Sequence, residues 1–278
     1  MTLYRVRVII VALSIALIAM GTVLKRMVQG GPLETVFALL PVVGSLGLLT
    51  AFLSIALAAK RLPVRPPLPV TSPVTGRWMG MNSPQTKVPS HGIRAYGQAF
   101  AIDLVYEPAD QQRPVFGSGS AMRPVQDYPA FGEPVRAMID GVVVRASDWQ
   151  RDHRARSTWL GVVYMMVEGS IREFGGPGFI VGNHVTIRGA DGVYALVAHL
   201  KQGSVLVAEG DTVVAGQPIA ACGNTGNTSE PHVHAQLMDR ASLWTAQGIP
   251  FVFRDVRVNA EPDARDALPG NDDHMMIA

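Results

Sequence analysis

Residues 207–220 read Val-Ala-Glu-Gly-Asp-Thr-Val-Val-Ala-Gly-Gln-Pro-Ile-Ala, and residues 222–234 read Cys-Gly-Asn-Thr-Gly-Asn-Thr-Ser-Glu-Pro-His-Val-His. The reading of these two stretches decides the fold. Thr212–Val214, Pro218–Ala221 and His232–Met238 suit short strands, with turn signals at 209–211 (Glu-Gly-Asp) and 215–218 (Ala-Gly-Gln-Pro) between them. The same rhythm extends upstream. Ala99–Tyr106, Gly141–Ala146, His184–Arg188, Val193–Ala198 and Ser204–Val207 read as strands, and Gly-Ala-Asp-Gly at 189–192 as a hairpin turn. Close spacing of this kind predicts a mainly β domain, an antiparallel sheet with a groove, over residues 74–258.

One insertion breaks the rhythm. Residues 151–173 begin charged and continue through Trp159, Leu160, Val162, Val163, Tyr164, Met165, Met166 and Val167. They predict a helix between two strands that serves core packing, with a membrane-facing lid as the other reading. From Asp255 onward six acidic residues outnumber two basic ones. Residues 259–278, His274 included, are therefore expected to form an acidic disordered tail.

The N-terminal part is of another kind. Charged residues are only 17% of the 278, below the roughly 25% usual in soluble domains, and the deficit is local. No side chain is charged in residues 8–24 or in residues 35–59. A hydrocarbon core of roughly 30 Å needs about 20 apolar residues in a helix. Residues 1–62 thus predict a two-helix membrane hairpin turning at Gln29-Gly30-Gly31-Pro32, with Pro41, Gly44 and Gly47 permitting a kink or close helix contact. A cleaved signal peptide is the alternative for the first segment, but no clear small-x-small site ends it and a second apolar run follows. The proline-rich residues 63–73 read as a semi-rigid linker.

Charge excludes one partner class. Residues 1–62 hold six of the 24 Lys and Arg but one of the 22 acidic residues, so 18 basic and 21 acidic residues remain. A nucleic-acid-binding domain would show the opposite balance. The single Cys222 excludes an internal disulfide framework and a multi-cysteine zinc site. The oligomeric state is not legible.

The strongest local chemical signal is Pro231-His232-Val233-His234. Residues two apart on a strand face the same way, their Cα atoms roughly 6.5–7 Å apart, so two imidazoles enter one groove. Asp103 ends the apolar run Ala99-Phe100-Ala101-Ile102, where a buried acid is costly unless paired or bound to metal. His199 ends the strand-like Tyr194–Ala198, and His91 lies in a Pro-Ser-His-Gly loop. Two histidines and a carboxylate leave one position open on a tetrahedral zinc. Asp103 could instead be a hydrogen-bonded strand-end acid, and His199 a strand cap. His184 reads as structural, His153 as solvated among charges, Cys222 as a packed small residue. Gly223, Asn224 and Gly226 shape a turn, with substrate contact the weaker reading for Asn224.

Together these segments resemble the LytM/lysostaphin-type zinc metallopeptidases of family M23, whose fold is related to the barrel-sandwich hybrid. The resemblance rests on 207–220 and 222–234, with Gly182–Ile187, Tyr194 and Ala198-His199-Leu200, Gly132–Val135 and Asp140–Val143 in order upstream. It covers about residues 90–240, and only the combination is specific. It implies that Asp103 and His234 ligate one zinc ion and that His199 and His232 are the catalytic histidines. It also implies a peptidoglycan-peptide substrate. The family's first zinc histidine normally stands four residues before the aspartate, where this chain has Ala99. Some members carry an upstream histidine before a Gln-x-x-Ala-x-Asp segment; Gln98–Asp103 has that form, and His91 precedes it. His91 is thus expected as the third ligand.

The expectation is a membrane-anchored zinc metalloendopeptidase cleaving peptidoglycan cross-links or stem peptides. The alternative is a catalytically inactive, peptidoglycan-binding or regulatory module. A biotinyl- or lipoyl-type carrier shares the hairpin pattern but needs a lysine at a hairpin tip, and Lys201 is not so placed. Arg5, Arg7, Lys60, Arg61 and Arg65 flank the outer ends of the two spans, against Lys25 and Arg26 at the turn, so the positive-inside rule leans toward a cytoplasmic domain. Wall chemistry demands the extracytoplasmic side, and the site is given the greater weight.

Overall fold

The computed structural model describes residues 2–28, 30–58 and 65–277. The chain divides into two compact units, Met1–Val64 and Arg65–Ala278. The first consists of α1 (Thr2–Arg5), α2 (Arg7–Met27) and α3 (Pro32–Ala58). Arg7–Met27 and Pro32–Ser54 are long and apolar enough to cross a membrane, by length and composition. Small residues let the two helices approach. A Cβ at Gly21 would lie 2.5 Å from Pro41 Cδ, and one at Gly44 would lie 2.6 Å from the Ser14 carbonyl. Gln29, Lys60, Arg61 and the expected boundary at 62 lie outside the described residues.

The second unit runs β1 (Leu68–Val70), β2 (Gly76–Met81), β3 (Ile102–Tyr106), β4 (Met122–Arg123), β5 (Pro134–Arg136), β6 (Gly141–Ser147) and β7 (Ala155–Arg156). The helices α4 (Trp159–Phe174) and α5 (Pro177–Val181) follow, then β8 (His184–Arg188), β9 (Tyr194–Ala198), β10 (Thr212–Val213), β11 (Pro218–Ala221) and β12 (Val233–Met238). The chain ends with β13 (Gly248–Ile249), β14 (Phe251–Val258), β15 (Arg265–Ala267) and β16 (His274–Ile277).

A twelve-stranded sheet carries the order β1-β14-β16-β2-β3-β12-β9-β8-β6-β10, with β13 on β12 and β15 on β14. The pairs β5–β11 and β4–β7 stand apart. The unit is mainly β, as expected. The sheet is mixed rather than purely antiparallel, because β1 pairs with β14 in parallel. The β8–β9 hairpin shows why sequence and fold agree: alternating apolar runs meet at Gly189–Gly192, where Gly192 takes φ +70 and donates to the Gly189 carbonyl. The core gathers Ile102, Leu104, Val185, Ile187, Val197, Val233, Ala235 and Leu237, one residue in two from the strands around β12.

Several expectations need correction. Residues 99–101 are not strand; a 3-10 turn over Ala95–Phe100 precedes β3, and Gly97 takes φ +77 there, where a Cβ would meet Met238 at 2.8 Å. Residues 204–207 make no strand ladder; Val205 N–H instead donates to Asp148 Oδ2. Part of the proline-rich stretch is β1, an edge strand on which Pro69 costs no ladder bond that matters. The helix begins at Trp159, not 151, and most of its apolar side chains are exposed rather than packed in the core.

The acidic tail is ordered. β16 fills the sheet between β14 and β2, and Ala267, Leu268 and Met275 are buried. Composition misled because the acids form a hydrogen-bonded turn: Asp273 accepts from Gly270 N–H and from Asn259 Nδ2, and His274 Nε2 lies 2.8 Å from Glu107 Oε2. Met275→Ala is accordingly expected to lower the unfolding free energy by about 2–5 kcal/mol, the usual cost of a fully buried methionine. Denaturant titration of the full chain in detergent checks this; a frayed tail would leave the midpoint unmoved.

Candidate metal centre

Strand period and register assemble the centre. On β12 the residues Val233, Ala235 and Leu237 point into the core, so His232, His234 and Gln236 share the opposite face. His234 stands directly across from Asp103 on β3 and from Ala198 on β9. His199 follows β9 with φ +60, a left-handed turn uncommon outside glycine. This turn leaves its ring 4.7 Å from that of His232. The loop bearing His91 is tied to the 3-10 turn by Ser90 N–H donating to the Ala99 carbonyl. The five residues expected from the sequence thus meet in one cavity of about 420 Å³, whose far wall includes Met165 and Gly169 of α4.

The distances are short. Asp103 Oδ1 lies 2.8 Å from His234 Nδ1 and 3.5 Å from His232 Nε2, and Oδ2 lies 3.1 Å from His91 Nε2. Donor atoms of His91, Asp103 and His234 all fall within 4.8 Å of one another, a group able to hold a metal ion.

Each ring is held by its other nitrogen. Gln236 Nε2 donates to the Tyr96 carbonyl, so its Oε1 accepts from His234 Nε2–H at 2.9 Å. Ser90 Oγ donates to the Gln98 carbonyl and accepts from His91 Nδ1–H at 3.0 Å. His232 Nδ1–H donates to the Glu230 carbonyl, and His199 Nδ1–H to the Thr225 carbonyl, both at 2.8 Å. Consequently His91, His232 and His234 each turn a lone pair inward, toward the Asp103 carboxylate. Lone pairs at such separations repel unless a cation lies among them, and His232 Nε2 is buried without a hydrogen-bond partner. The donor set therefore fits a divalent metal with imidazole and carboxylate ligands.

Electrostatics agree. Burial alone would raise the Asp103 carboxyl, but the His91, His232 and His234 rings around it hold it well below the usual carboxylate range. Burial, together with His232 and His234, pushes His199 well below the ordinary histidine value, so it is neutral. Burial opposes a charge on His232 as well, yet Asp103 outweighs it and raises that ring.

The remaining candidates are structural. His184 donates through Nδ1 to the Gly182 carbonyl. His153 is not solvated: its ring nitrogens lie 3.0 and 2.9 Å from the Arg154 and Gly226 carbonyl oxygens, and burial lowers its proton affinity. Asn224 is fully buried and donates to the His153 carbonyl, which leaves it nothing for a substrate to meet. Cys222 is buried, and burial pushes its thiol well above the normal range. Two contributors escaped sequence reading. Gln236 carried a signal, two residues beyond His234 on the same strand face. Asn82, which donates to Asp103 Oδ2 at 2.7 Å, carried none, since only the β2–β3 pairing brings it there.

Residues 126–245 match the family model described as Peptidase family M23. The match spans less than half of the chain. Members of that family are zinc metallopeptidases acting on peptidoglycan. His199, His232 and His234 lie within the match, and His91 and Asp103 precede it. The chain is similar to the catalytic domain of the antimicrobial peptidase lysostaphin from Staphylococcus simulans, at 20% identity over 56% of this chain and 86% of that one, with a TM-score of 0.32. A zinc-containing peptidase from Vibrio cholerae shows 17% identity over 53% and 48% of the respective chains, TM-score 0.27. Against the solution structure of lysostaphin the identity is 24%, the TM-score is 0.30, and this chain spans 40% of that one.

Proposed function

We propose that the chain is a membrane-anchored zinc metalloendopeptidase that hydrolyses peptide bonds in peptidoglycan cross-links or stem peptides, with its larger unit outside the cytoplasm. The observation that carries the reading is the convergence of inward lone pairs on one carboxylate. His91 Nε2, Asp103 and His234 Nδ1 would hold one zinc ion. Bound there, zinc would acidify water and polarise the scissile carbonyl. The chain's own side chains supply the rest. His232, oriented by the Glu230 carbonyl, presents Nε2 as a proton acceptor beside Asp103. The proton taken up at His232 Nε2 is the one passed to the leaving amine, and His199, kept neutral with Nδ1–H on the Thr225 carbonyl, offers its Nε2 as a second acceptor for the water's protons. The substrate peptide would enter the cavity between α4 and the 3-10 turn, whose residues line it.

A second reading, an inactive binding or regulatory module, is favoured by Ala99 alone. His91 decides between the two. Metal analysis of the purified full chain should give about one zinc per chain, and His91→Ala should lose most of it; zinc content unchanged in that variant would refute the ligand set. Gln236→Ala leaves the ligands in place but frees the His234 ring. It is expected to weaken zinc binding by about 10–100-fold, as loss of such a supporting bond does. Competition with a calibrated chelator measures the effect.

A further inference from the structure

α4 is mounted inside out. Its inward side carries Gly161 and Gly169, where a Cβ would lie 2.8 Å from the Ala121 carbonyl and 2.9 Å from Asn227 Oδ1. On the same side Glu168 binds Arg156 at 2.8 Å and Arg172 at 2.9 Å. The opposite arc, about 120–140° wide at 100° per residue, holds Trp159, Leu160, Val163, Val167, Ile171 and Phe174. Phe174 is 94% exposed, Trp159 75%, Leu160 73%, Ile171 65% and the two valines more than half. Rolling the helix to bury them would break the glycine contacts and strand Glu168 and Arg156. Six large apolar side chains exposed along one helix face are the mark of an interaction or membrane site rather than of an ordinary solvated surface.

We infer that this arc docks on a lipid leaflet carrying anionic headgroups. The inference rests on the membrane-anchored reading above. Two observations select lipid as the occupant. A cavity of about 320 Å³ opens beside Tyr164, lined by Arg151, Arg154, Arg156 and Arg172 against only Asp152 and Glu168, so a basic pocket adjoins the apolar arc. That pairing, with Trp159 and Tyr164 at the margin, is the composition of a helix lying in a membrane interface. The sequence also joins α3 to β1 by only residues 59–67, so an inserted hairpin keeps α4 at high effective concentration near lipid. Because Met165 and Gly169 on the other side of α4 line the metal-centre cavity, docking would place that cavity at the membrane surface.

The test uses the full chain reconstituted in vesicles of phosphatidylcholine and phosphatidylglycerol. Val167→Cys is labelled with an environment-sensitive fluorophore, Cys222 being buried; Glu209→Cys, on an exposed hairpin turn, is the control. Shallow spin-labelled lipids should quench the label at 167 at least two-fold and leave that at 209 unchanged. Adding Val163→Glu should abolish the quenching while zinc content stays the same. A chain that floats with vesicles after an alkaline wash, yet shows no quenching at 167, overturns the docking of α4 and leaves the anchor standing. Self-quenching that rises with protein density, without lipid quenching, assigns the arc to a second copy and equally overturns the inference. A chain that fails to float removes the anchored reading and this inference with it.

Discussion

A chain with His234 replaced by alanine is expected to be isolated almost free of zinc and to release no detectable peptide ends from peptidoglycan. His234 is the hinge of the centre. Its Nδ1 lies 2.8 Å from Asp103, its ring is fixed by Gln236, and it pairs directly with Asp103 across two strands. Structural zinc sites with four protein ligands are worth roughly 10–16 kcal/mol, or about 3 kcal/mol for each donor, so losing one weakens binding at least a hundred-fold. Elemental analysis after dialysis against a weak chelator reads the loss. Near-ultraviolet circular dichroism should stay unchanged, because Ala235 and Val233, not His234, fill the core. Retention of stoichiometric zinc by this variant would remove the proposed centre altogether.

The second large effect separates chemistry from metal binding. His199→Ala and His232→Ala should each keep zinc yet lower kcat by about 10²–10⁴-fold, the range for loss of a positioned acid or base. His199 is anchored outside the ligand group by the Thr225 carbonyl, and His232 Nε2 stands 3.5 Å from Asp103 rather than within bonding reach. Release of new amino termini from purified peptidoglycan measures the rate, and metal analysis of the same samples gives the occupancy. If either variant lost zinc in parallel with activity, that histidine would belong to the ligand set and the assignment of roles would have to be redrawn.

Much of this arrangement was readable because it is periodic. Alternation along 232–238 announces which side chains share a face, and the Gly-rich turns announce where strands reverse. What resisted reading was non-local. Asn82 reaches Asp103 only because β2 pairs with β3. The loop carrying His91 folds onto Asp103 through bonds from Ser90 to residues 98 and 99, for which its own sequence gives no sign. The acidic stretch after residue 258 looked solvated by composition, yet two hydrophobic positions in it, Ala267 and Met275, were enough to seat strands. The apolar run in α4 was legible as a helix, but its orientation was not. Which side faces inward depends on where Gly161 and Gly169 find backbone and side-chain partners, and those partners come from other segments.

The position of β16 bears on how such a chain is made. β2 and β14 are neighbours in the finished sheet only through a strand at residues 274–277. As the polypeptide leaves the ribosome, β2 emerges well before β16 and waits, one ladder edge unmatched, until residues 274–277 have followed. Closing so long a loop is slow, and an open edge invites pairing with other chains. Completion of the sheet thereby waits on residues 274–277, so a nascent or clipped product without them would lack the strand that joins β2 to β14.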